Sequence, residues 1–69
     1  MSHVDLRNVY LWSADLSGAN LHEVDLRYAM LTDADLSNAN LEKALVTQEQ
    51  LKQAKSLKGA TMPDGSIHP

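Results

Sequence analysis

Residues 4–23 read VDLRNVYLWSADLSGANLHE, and residues 24–43 read VDLRYAMLTDADLSNANLEK. Twelve of the twenty paired positions are identical, so the chain repeats itself at a period of twenty. A shorter period runs inside the longer one. Leu occupies positions 6, 11, 16, 21, 26, 31, 36 and 41 without a break, and an Ala or Val stands two residues before each. The residue between them is Asp or Asn in every unit except two, which carry Tyr10 and Met30. The unit is (Ala/Val)-(Asp/Asn)-Leu-x-x.

A period of five fits neither regular element. On an α-helix five residues advance about 500°, so successive Leu side chains would lie about 140° apart around the cylinder. On a straight strand an odd step flips the face each time, which would send alternate Leu to solvent. The Leu side chains can share one interior only if the chain turns a corner every five residues. Within a unit the small residue and the Leu are two apart, the spacing that puts both on one face of an extended segment.

The twenty-residue period then implies four such units per coil. Arg7 should stack on Arg27, Asp15 on Asp35, and Asn20 on Asn40. Four Leu meet in each layer of a narrow square, with Ala or Val beside the corners. That cross-section explains why a chain that is 43% hydrophobic contains no Phe; Leu and Ala already fill it at native density. The Asp or Asn before each Leu suits the corner, because its short side chain can accept a bond from a nearby backbone N–H.

With these residues in place the run resembles the pentapeptide-repeat family over residues 4–46. The resemblance implies an all-β solenoid: a right-handed, quadrilateral parallel β-helix, here of two to three coils. The central residue is always Leu rather than sometimes Phe, and the run is short for such a family. A leucine-rich repeat or a hexapeptide or nonapeptide β-helix would need different spacings.

The single domain 1–69 divides into coils (4–46), a helical cap (47–56) and a partial coil or tail (57–69). Thr47 and Gln50 form a capping-box pair, with Val46 and Leu51 at the positions of a hydrophobic staple. A helix is expected over roughly 48–55, with Leu51 and Ala54 turned inward. Leu57, Met62 and Ile67 then resume the spacing of five, shifted by one residue, and Pro63-Asp64-Gly65 reads as a turn. A solenoid needs a cover at each end. The segment after residue 46 is expected to close the C-terminal end, whereas only Met1, Ser2 and His3 precede the first unit. Leu6, Leu11, Leu16 and Leu21 should therefore form an uncovered layer, through which the chain is expected to make a homodimer. The other possibility is that the layer abuts the rest of a longer protein.

The chain has 69 residues, no Cys and a net charge of −3. There is no disulfide to staple a small fold, no basic footprint for nucleic acid, no stretch long enough to span a membrane and no signal-peptide pattern. A soluble cytoplasmic domain is expected. Residues 1–46 carry seven acids and three basic residues, a net of −4, whereas residues 47–69 carry two acids and three Lys, a net of +1. His3, His22 and His68 are scattered, with no zinc spacing, and His22 is read as a solvated face residue. A packed Leu coil offers no sheltered pocket for acid–base chemistry. No enzyme activity, cofactor or metal is expected.

Tyr10, Trp12, Tyr28 and Met30 fall outward on adjoining parts of one wall, and such clusters mark interaction surfaces. The expected function is a non-catalytic protein–protein interaction or assembly module that self-associates through its N-terminal coil. The alternative is a structural C-terminal accessory domain of a longer protein. The resemblance raises one more possibility, an acidic mimic of duplex DNA directed at type II topoisomerase. Two coils at about 4.8 Å each give too short a rod for that role.

Overall fold

A corner recurs at every fifth residue, and local bonds build it. At six of the eight corners the side chain before the Leu accepts the backbone N–H two residues on: Asp5 from Arg7, Asp15 from Ser17, Asn20 from His22, Asp25 from Arg27, Asp35 from Ser37 and Asn40 from Glu42, at 3.0–3.2 Å. The Leu carbonyl then accepts the N–H three residues on, as Leu6 does from Val9 and Leu26 from Ala29. The third residue of each turn sits in the left-handed region, with φ of 57–68° at positions 8, 13, 18, 23, 28, 33, 38 and 43. A turn of type II requires that conformation, yet only position 18 is Gly. The other seven, including Tyr28 and Lys43, hold it with a side chain attached.

The computed structural model describes residues 4–69; Met1, Ser2 and His3, the expected lead-in, lie outside the described residues. Between corners the extended stretch is reduced to one bridging residue per face. Asp5 pairs in parallel with Asp25 and that with Leu45 on the first face, and Tyr10 pairs with Met30 on the second. Asp15, Asp35 and Ser56 line up on the third face, and Asn20, Asn40 and Thr61 on the fourth. The chain thus winds around four sides, with levels twenty residues apart until position 45 and twenty-one apart after it.

Leu21, Leu26, Leu31, Leu36 and Leu41 are fully buried or within 1% of it, with Val24, Ala29, Ala34, Ala39 and Ala44 beside them. Each such Leu contributes about 1.5–3 kcal/mol. Leu6, Leu11 and Leu16 are only partly buried. Leu21 departs from the expected open layer: it is 0% exposed. The coil rises continuously, so its fourth corner already lies near the level of the next turn.

The helix α1 spans Gln48–Lys52, shorter than the expected 47–56. Thr47 is its N-cap, and the capping box with Gln50 is present in both directions. It ends early because Lys55 N–H already bonds the Ala34 carbonyl and Ser56 already bridges Asp35. The one residue gained in the helical detour accounts for the change from twenty to twenty-one. Leu51 is buried, and Val46, Ala54, Leu57 and Met62 pack against the core while staying partly exposed. Ile67 does not continue the inward series; it is 63% exposed. The turn at Pro63-Asp64-Gly65, with Gly65 at φ 89°, reverses the chain, so that Ile67 pairs antiparallel with Thr61.

Candidate functional site

The second face differs from the other three. Tyr10 and Met30 stand where the other corners have Asp or Asn, so their side chains are released from the turn and project outward. The Tyr10 and Trp12 rings stack with centroids 5.3 Å apart and planes 20° from parallel. Tyr10 is 64% exposed, Trp12 48% and Met30 45%. The bridge between Tyr10 and Met30 places all three on one wall. Tyr28, 80% exposed, sits apart from that stack. With Arg27, Thr47 and Gln50 it lines a depression of about 300 Å³ beside the start of α1. Sequence reading placed these residues on adjoining parts of one wall, with Tyr28 at the corner leading into it; in the structure Tyr10, Trp12 and Met30 share the second face and Tyr28 lies beside the start of α1.

Gln50 has a role beyond the capping box expected of it. Its Oε1 accepts the Thr47 N–H at 2.9 Å, while its Nε2 donates to the Leu26 carbonyl at 2.7 Å and the Ala29 carbonyl at 2.8 Å. In the stack from Val4 to Ala39 the carbonyls equivalent to that of Ala29 take a backbone N–H from the level below, whereas the Leu carbonyls take only the N–H of their own turn. Where α1 withdraws that N–H, the Gln50 amide replaces it. The signal was available: position 50 is twenty after Met30 and carries a side-chain N–H donor.

The carboxylates belong to the corners. The guanidinium of Arg7 donates to Asp5 at 2.8 and 2.9 Å, and Arg27 does the same for Asp25 at 2.8 and 3.0 Å. Arg7 also lies 3.7 Å from Asp25, which ties the two levels. The side-chain bond from Arg7 lowers the Asp5 carboxyl to about 2. Asp25 is lowered by Arg27, and Asp15, Asp35 and Asp64 by bonds from Ser17, Ser37 and Ser66. These carboxylates are all held in the ionised form, the opposite of what a general acid needs. His22 is not merely solvated: it is partly buried, with Nδ1 3.2 Å from Glu23 and Nε2 3.6 Å from Glu42. Among the described residues no group of His, Asp or Glu is arranged to hold a metal, and no helix is long and apolar enough to cross a membrane.

At the N-terminal end Val4, Leu6, Leu11, Leu16 and Ala19 form a partly exposed apolar layer. At the other end, two adjoining depressions of about 280 and 370 Å³ lie between α1 and the tail and share Gln48, Leu51 and Met62. The segment after residue 46 therefore covers the C-terminal end only in part.

No curated protein matches the chain significantly. A family model described as pentapeptide repeats matches residues 1–45 with eight copies. Among solved structures, the chain is 41% identical to HetL from the cyanobacterium Nostoc sp. strain PCC 7120, a pentapeptide-repeat protein involved in heterocyst differentiation regulation. The match has a TM-score of 0.51 and covers 97% of this chain. It covers 38% of HetL, so the chain spans well under half of that protein's length. The eight matched repeats, the four-sided stacking and the likeness to HetL together identify a right-handed β-helix, and the chain belongs to the pentapeptide-repeat family.

Proposed function

We propose that this protein is a non-catalytic interaction and assembly module of the cytoplasm. It is built as a solenoid of two to three coils with α1 as its C-terminal cap. The observation that carries this reading is the stacked, half-exposed Tyr10–Trp12 pair beside Met30. Large aromatic and Met side chains left on the outer wall of a solenoid are the composition of protein contact sites. HetL's part in regulation is in keeping with action by binding rather than by chemistry.

The partly exposed N-terminal layer supports self-association, with a homodimer as the smallest product. Its Leu side chains gain the rest of their burial energy only against another apolar surface. No nucleic acid, membrane, metal or cofactor is assigned to the protein. A second reading, an accessory domain of a longer protein, is favoured by the match to only 38% of HetL. A DNA mimic is disfavoured, because the molecule measures 26 × 23 × 19 Å and Arg7 and Arg27 neutralise part of its acidic face. An unchanged gyrase supercoiling assay with the protein in excess would exclude it.

The test is chemical crosslinking and affinity capture with wild type beside the Tyr10→Ala/Trp12→Ala double variant. Both side chains are outward, so the fold should survive. Loss of the captured partner with the double variant is expected. Retention of every partner would refute the aromatic wall as the contact site.

A further inference from the structure

The two ends of the solenoid differ in shape and in charge. The N-terminal end is a flat layer of Val4, Leu6, Leu11 and Leu16, rimmed by Asp5 and Asp15. Residues 4–23 carry Asp5, Asp15 and Glu23 against Arg7, a net of −2. The Asp15 carboxylate is bonded by the Ser17 N–H and hydroxyl, and among the described residues no cation pairs with it. The C-terminal end is a groove floored by Leu51, Leu57 and Met62, with Lys52 and Lys55 on its rim. Residues 47–69 have a net charge of +1, and among the described residues Lys52 and Lys58 join no ion pair.

The backbone points the same way. In the first coil Leu6 N–H and the Val4 carbonyl bond to Asp25 on the level below, and the same pattern repeats around Tyr10 and Asp15. The N–H and C=O of Asp5, Tyr10 and Asp15 therefore project out of the N-terminal end, and among the described residues no backbone group bonds them. At the other end α1 occupies the second face and the tail occupies the fourth, which leaves the first and third open. An edge placed there runs parallel to the strands above it, the pairing the solenoid already uses between its own levels.

We infer that the N-terminal layer of one copy docks on the C-terminal groove of a second copy, so that chains stack head to tail. The inference rests on the proposed self-association and names its complementary surface. Head-to-head packing would bring two negative coils together, whereas head-to-tail packing sets −2 against +1 over two apolar surfaces. Such a contact uses different patches on its two partners and does not close on itself. The assembly therefore grows beyond a pair.

Sedimentation of the intact chain tests this. The weight-average mass should climb past two copies with concentration. Association should weaken about threefold or more between about 0.1 and 1 M NaCl, as the Debye length falls from about 10 Å to about 3 Å. Leu11→Glu blocks one end and Met62→Glu the other. Each variant should be monomeric alone, and an equal mixture should yield a one-to-one pair. If Met62→Glu still dimerises, or if the wild-type mass levels off at two copies and association strengthens with salt, the stack is overturned and symmetric self-association stands. A wild-type monomer at hundreds of micromolar overturns both. The salt response needs no variant, so it decides the matter even if a substitution impairs folding.

Discussion

Replacing Gln50 by Glu separates two jobs that one side chain performs. A capping box accepts Glu or Gln equally, because either offers an oxygen to the N-cap N–H. The bond to Thr47 N–H should therefore persist in Gln50→Glu. The two bonds from Nε2 to the Leu26 and Ala29 carbonyls cannot, since a carboxylate has no proton to give. Leu26 keeps the Ala29 N–H as a second donor, whereas the Ala29 carbonyl has no other donor among the described residues. Two neutral hydrogen bonds at about 1 kcal/mol each give a loss of about 2 kcal/mol. For a chain of this size that corresponds to a fall in Tm of roughly 8–16 °C. Thr47→Ala provides the comparison, because it removes the cap alone at about 1 kcal/mol. Both are read from urea and thermal unfolding followed by circular dichroism. A Gln50→Glu protein no less stable than Thr47→Ala would refute the idea that this amide replaces a missing backbone donor.

The remaining expectations concern the corners, the core and acid. Lys43 holds φ at 61°; Lys43→Gly should relieve more strain than it costs in chain entropy and raise stability by about 0.5–1 kcal/mol in urea unfolding. Gly18→Ala meets no atom within 4 Å, so its loss of about 1 kcal/mol would measure backbone strain alone. Leu31→Ala, in the closed core, should cost about 2–5 kcal/mol, and Leu11→Ala, in the partly exposed layer, distinctly less. Equal losses at the two sites would contradict the open end. Acid should destabilise the protein in a defined window. The Asp5 carboxyl lies near 2 in the folded chain against an ordinary 3.8, and Asp15, Asp25 and Asp35 are lowered too. A depressed carboxyl contributes stability that is fully present above its unfolded value and is lost as pH falls through its folded one. The urea midpoint should hold from neutrality to about pH 5 and drop between about pH 4 and 2. Asp15→Asn with Asp35→Asn, which copies the natural Asn20 and Asn40 corners, should flatten that drop.

The solenoid was legible because two periods, five and twenty, each exclude the regular alternatives by geometry. The capping box was legible for the same reason, since Thr47 and Gln50 act on backbone groups within one turn. The length of α1 was not. It depends on how soon the chain must rejoin the third face at Ser56, which is a fact about the partner strand at Asp35. The burial of Leu21 was missed because a flat count of four Leu per layer ignores the rise of the coil. Ile67 kept the spacing of five yet points to solvent, since the turn at Gly65 reverses the chain and spacing alone does not encode direction. At the candidate site, exposure of Tyr10, Trp12 and Met30 followed from their outward positions. The turn of Tyr28 toward the helix did not, because α1 reaches it only through the folded stack.

Comparing the two coils with each other locates what is particular to this protein. Eight of the twenty paired positions differ, and five of those eight fall in the stretch 8–13 against 28–33, where only Leu11 and Leu31 agree. The agreement elsewhere has a physical basis. On the first, third and fourth faces the bridging residue must accept the corner N–H, which restricts it to Asp or Asn in both coils. Tyr10 and Met30 cannot accept that bond. The second face makes its turn with only the Leu carbonyl bond and the left-handed residues Ser13 and Asp33. A corner held by fewer bonds leaves its outward positions free to vary in size and chemistry. The stacked rings stand on this face, and α1 crosses it at the next level. The repeat fixes the backbone, and the face that departs from the repeat is where side chains are free to meet a partner.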